Sequence, residues 1–179
     1  MRFHHVFSLP LLALARLLGL TEVQHLTSGG TASNHHFNRV RPVAIAYAGL
    51  LLLDTMVATG VKVCLRLAMG KTVICDRFTY DTLVDLMIST EKRDVANSFV
   101  TRCFLLLATR AIAVIIMATP QALRLRREDI REDRYLDWKI ELYSILSKKC
   151  EIPVIYSDGS VQQVHLAIIR AVDEVMARG

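Results

Sequence analysis

The stretch Lys71–Leu86, KTVICDRFTYDTLVDL, decides how the rest of the chain is read. Thr72, Val73, Ile74 and Cys75 form a β-branched, apolar run of strand length, and Thr82, Leu83, Leu86 and Met87 then recur at helical spacing. The pattern predicts a buried strand followed by a helix, with Asp76 and Arg77 delivered at the carboxyl end of that strand. In open α/β sheets ligands sit at this edge. A guanidinium placed there has the fork geometry that suits phosphate. The plainer structural account has Asp76 capping the next helix and Arg77 pairing with a surface carboxylate.

The bounds are set by length and charge. A chain of 179 residues is long enough for one domain with a substantial core. Its 22 basic and 17 acidic residues give +5, a balance that suits an anionic ligand but is too dispersed to indicate nucleic acid. Cys64, Cys75, Cys103 and Cys150 lie far apart without metal-like spacing, so they are expected to be reduced, buried thiols of a cytoplasmic protein. The apolar content of 53% raises a membrane reading. Arg16, Asp54 and Arg110 interrupt the apolar stretches, and no uninterrupted run reaches the length of a span. Apolar strands covered on both faces would account for the same composition, and no membrane is expected as a partner.

Outward from the central stretch, the chain divides into alternating elements. Arg2–Phe7 reads as a strand and Leu9–Leu20 as a helix, with Pro10 in its first turn and Gly19 helping to end it. Thr27–Asn38 is loop-like. The pairs His4-His5 and His35-His36 suggest metal ligation, but adjacent histidines on a strand face opposite ways and no carboxylate or cysteine cluster accompanies them. No metal site is therefore expected. Val43–Leu67 is expected to be helical, buried against a sheet and broken or kinked at Gly60.

Gly70-Lys71-Thr72 ends like a phosphate-binding loop. It precedes a strand rather than following one, however, and Leu65 stands where the first glycine is required. Ala111–Met117 reads as a central parallel strand, followed by Thr119 as helix cap and Pro120 in the first turn. Arg124, Arg127, Arg131 and Arg134 would share a helix face, on residue grounds a solvated one with pairs such as Arg124 to Glu128. Tyr135, Trp138, Leu142, Ile145 and Leu146 trace a core stripe. Ile152–Tyr156 is the last strand, Ser160 with Gln163 makes a capping box, and the closing helix is expected to bury Val161, Val164, Ile168, Val172 and Val175.

The Asp76-Arg77-Phe78 motif after an apolar strand, the second strand Ala111–Met117, the arginine-rich segment Leu123 to Arg134 and the strand–helix ending resemble, in order and spacing, the thymidylate kinase family of nucleoside monophosphate kinases. The resemblance covers roughly the last two thirds of the chain. It implies a three-layer α/β/α fold with a mostly parallel sheet. It also implies transfer of the γ-phosphoryl group of ATP, with Mg2+, to a nucleoside monophosphate such as dTMP, and it is compatible with a homodimer. Arg77 would hold the acceptor phosphate, and Asp76 would orient the acceptor or hydrated metal. Arg124, Arg126, Arg127, Arg131 and Arg134 would form the lid, with Arg127 and Arg131 stabilising the transferred group.

The sequence departs from that family in two places. No Gly-x-x-x-x-Gly-Lys-Ser/Thr occurs, so the first strand and phosphate loop are expected to be missing. A shortened kinase is the favoured reading and a degenerate one the runner-up, with no transfer expected from the chain as written. Asp81 stands where the family has serine, and Val84-Asp85-Leu86 where it has Ala-Tyr-Gln. Asp81 and Asp85 could coordinate hydrated magnesium or accept from a sugar hydroxyl, or lie as solvated acids near a helix start. Phe78 and Tyr80 could stack on a base or pack in the core. Two other classes stand beside the kinase: an inactive nucleotide-binding or interaction module, and a small membrane-associated helical protein.

Overall fold

The computed structural model describes residues 6–25, 31–91, 99–108, 111–126 and 133–178. The chain divides into two compact units, Met1–Gln24 with Ala32–Thr109, and His25–Thr31 with Arg110–Gly179.

The first unit is built mainly from helices. Helix α1 (Leu9–Leu17) carries a proline in its first turn, where a missing amide hydrogen costs little. It ends at Gly19, whose φ of 67° lets the Leu20 amide return to the Ala15 carbonyl at 2.9 Å. Strands β1 (Thr21–His25) and β2 (Thr31–His35) pair with one another, so part of the expected loop is strand. Helix α2 (Arg41–Thr59) continues through a π turn at Gly60–Cys64 into α3 (Leu65–Ala68), and the expected disturbance at Gly60 is this turn. Helices α4 (Thr79–Thr90) and α5 (Phe99–Ala108) complete the unit.

Its core gathers Phe37, Tyr47, Leu51, Leu83, Val84, Leu86, Met87 and Phe104. Each such side chain contributes roughly 1.5–3 kcal/mol by leaving water. The expectation that Val43–Leu67 packs on a sheet is corrected: α2 packs on α4 and α5. Because α2 is apolar around its circumference, helices cover one side and leave Ile45, Met56, Val57 and Val61 exposed. Among the described residues, Arg41–Ala68 is the one helix long and apolar enough to cross a membrane, by length and composition.

The expected strand Thr72–Cys75 is not formed. Residues 71–75 are irregular, and Ile74 is 88% exposed. A β-branched run becomes a strand through ladder hydrogen bonds and same-face packing, and propensity alone does not supply them. Gly70 (φ 74°) closes α3: its amide donates to Leu67 O at 2.9 Å and the Lys71 amide to Arg66 O at 3.0 Å. Gly70-Lys71-Thr72 is thus a helix terminus. Val6 and Phe7 are also irregular, which corrects the end of the strand expected at Arg2–Phe7. The rest of that strand, with His4-His5, lies outside the described residues.

The second unit contains the parallel β-structure. Strands β3 (Ile115–Met117) and β4 (Val154–Tyr156) pair in parallel, with Ile115 opposite Val154 and Met117 opposite Tyr156. Both lie within the expected strands Ala111–Met117 and Ile152–Tyr156. Between them run α6 (Pro120–Arg126) and α7 (Leu136–Cys150), and α8 (Val161–Arg178) follows β4. Helix α7 packs on β3 and α8 on β4. Ile115, Met117, Leu136, Leu142, Leu146, Ile152 and Ile155 are buried.

The architecture is therefore mostly helical with a small parallel sheet, and the three-layer α/β/α arrangement is not shown. Three side chains expected inside lie outside: Val161, 82% exposed, Ile145 and Cys64. Val164, Ile168, Val172 and Val175 are only half-buried, because α8 has β4 as its principal packing partner.

Candidate functional site

In the first unit, Asp76 and Arg77 occupy the irregular connection between α3 and α4, both exposed. They do not end a strand as expected, since no ladder forms over Thr72–Cys75. Arg77 has φ 59°, a left-handed conformation that costs a residue with a Cβ about 1 kcal/mol. The residue at the cap of α4 is Phe78, not Asp76, so the account in which Asp76 caps the helix is not realised. Behind Phe78, Thr79 is 1% exposed, and its hydroxyl has no hydrogen-bond partner among the described residues.

Phe78, Tyr80 and Asp81 are half-buried and Asp85 is exposed, so the two acids extend one turn apart from the start of α4. Asp85 lies near Tyr47: burial first, then the negative charges of Asp85 and Asp54, push the Tyr47 phenol above its ordinary range. Phe78 and Tyr80 combine partial packing with partial exposure.

The histidines expected to be polar rather than metal-bound make local contacts. His35 Nδ1 lies 2.9 Å from the Thr21 hydroxyl, and its ring stacks on Phe37 at 5.3 Å. His36 lies between Glu22, 3.2 Å from Nε2, and Glu91, 3.4 Å from Nδ1. No group of three His, Cys, Asp or Glu residues is placed to hold a metal ion among the described residues.

In the second unit, polar groups converge at the carboxyl end of the β3–β4 pair. Beyond β3, the Thr119 hydroxyl accepts from the Ala122 amide at 3.3 Å and caps α6, as its position predicts. Beyond β4, the Ser160 hydroxyl accepts from the Gln163 amide at 3.3 Å, while Gln163 Oε1 accepts from the Ser160 amide at 2.9 Å; the capping box is formed. The two connections are tied together. Ser157 donates its amide to Met117 O at 2.7 Å, and Asp158 Oδ1 accepts from the Thr119 amide at 3.5 Å. Arg126 folds back to this edge and donates to the Ser157 carbonyl at 2.8 Å and hydroxyl at 3.4 Å.

Of the described lid arginines, Arg124 and Arg126 belong to α6 and Arg134 does not. Arg124 is in α6 and pairs with Asp137 at 3.1 Å, whereas Arg134 lies in the turn before α7 with its guanidinium 5.3 Å from the Tyr135 ring centre. Arg127 and Arg131, with Glu128, lie outside the described residues. Asp133 organises the start of α7 by accepting from the Tyr135 amide at 2.9 Å and from Lys139 Nζ at 2.7 Å. Reading the sequence for motifs missed Ser157 and Asp158 as site residues. The available signal was the polar run Ser157-Asp158-Gly159-Ser160 immediately after a strand.

An ATP phosphate cradle does not fit what is present. The chain has no phosphate loop, and the one Gly-Lys-Thr triplet ends α3. Comparison with protein-family models, with curated proteins and with solved structures returns no match.

Proposed function

We propose that this chain is a nucleotide-binding protein of the thymidylate kinase type, whose ligand is a phosphorylated small molecule such as a nucleoside monophosphate. The observation that carries this reading is the carboxyl end of the parallel β3–β4 pair. There two capped helix starts, the Arg126 guanidinium, Ser157 and Asp158 meet at the edge where parallel α/β units hold ligands. Within the first unit, Asp76-Arg77 lies just before the start of α4, a cationic position beside a helix amino terminus. In this reading Arg77, within the first unit, is the acceptor-phosphate ligand that the resemblance implies, with Asp76 accepting from a hydroxyl or from hydrated metal; within the second unit, Arg124, Arg126 and Arg134 supply positive charge near the β3–β4 edge.

The residues that hold a triphosphate in such kinases have no counterpart here, so the chain binds without transferring a phosphoryl group. Titration calorimetry of the full chain with dTMP, and with ATP in the presence of Mg2+, tests this, beside an ADP-release assay. Saturable binding of the monophosphate without turnover is the expected result. Absence of binding to any nucleoside monophosphate at millimolar concentration overturns it.

A further inference from the structure

We draw no further inference here: the strongest candidate, the exposed apolar face of the long helix Arg41–Ala68 that includes Ile45, Leu53, Met56, Val57 and Val61, is a surface for which nothing in the structure shows what covers it.

Discussion

Asp54 and Ser8, 46 residues apart in the sequence, are joined by two hydrogen bonds: the Asp54 carboxylate accepts from the Ser8 amide at 3.0 Å and from its hydroxyl at 2.7 Å. The same carboxylate accepts from the amides of Val6 at 2.9 Å and Phe7 at 2.7 Å. These donors lie just before the first turn of α1, so a buried acid on α2 acts as a tertiary cap and holds α1 to the core. Aspartate in an apolar helix is costly unless its oxygens are satisfied, and here four donors satisfy them.

Removing that cap is expected to loosen α1. Asp54→Ala should lower stability by about 2 kcal/mol, since the buried Ser8 amide and hydroxyl and the part-buried amides of Val6 and Phe7 lose their acceptor. Ser8→Ala should cost about 1 kcal/mol, because the three amide contacts remain. Chemical denaturation of both variants measures the difference, and equal, negligible losses would refute the capping role.

The same site gives a pH dependence. Burial pushes the Asp54 carboxyl up, but the Ser8 hydroxyl and the amides of Phe7, Ser8 and Val6 outweigh it, so the value lies below the ordinary 3.8. With the folded-state value depressed, the contribution is complete above the unfolded-state value and is lost as pH falls through the folded one. Asp54→Asn should therefore flatten the stability curve below about pH 4 while leaving its shape above pH 5 unchanged. An acid limb identical to that of the parent protein would contradict this.

Arg77 separates binding from stability. Its left-handed φ of 59° is a conformation glycine adopts freely, so Arg77→Gly should hold or raise stability, by up to about 1 kcal/mol, while weakening nucleoside monophosphate binding at least tenfold. Arg77→Lys should recover only part of the affinity, since an ammonium lacks the two-pronged donor geometry. Unchanged affinity in both variants would show that the phosphate is held elsewhere.

The cysteines should differ in reactivity. Cys64 is exposed and Cys75, Cys103 and Cys150 are half-buried. Burial raises the Cys150 thiol, with the Lys149 charge opposing it. Alkylation at neutral pH followed by peptide mass mapping should modify Cys64 first and Cys150 more slowly, because the thiolate is the reacting form. Equal rates at the two positions would count against this surface assignment.

At the edge of the parallel pair, Ser160→Ala should cost about 1 kcal/mol by uncapping α8. Arg126→Ala should change stability little, because the side chain is exposed, but should reduce nucleotide affinity. Heat denaturation and calorimetry on the same samples read both effects. A large stability loss in the arginine variant would make its role structural.

Helix ends were the most legible part of the sequence. Pro10, Gly19, Thr119 and the Ser160–Gln163 pair act on backbone groups within a turn of themselves, so their effect can be read from neighbouring residues. Strands were less legible. Residues 72–75 and 115–117 are both rich in β-branched side chains, yet only the latter pair, because β4 lies alongside. The candidate site was legible in its residue types and not in its grouping. Arg126 was read as one lid arginine among five, whereas its contacts are with Ser157, 31 residues on.

By itself the sequence determined the helix ends marked by Pro10, Gly19, Thr119 and the Ser160–Gln163 pair, and that no Gly-x-x-x-x-Gly-Lys-Ser/Thr motif is present, since these depend on the identity and spacing of nearby residues. Tertiary structure decided which apolar runs became strands, that Asp54 serves α1, and that Arg126 reaches Ser157 and Asp158 reaches the Thr119 amide beyond the parallel pair. Those outcomes rest on partners tens of residues away, which local propensity does not specify.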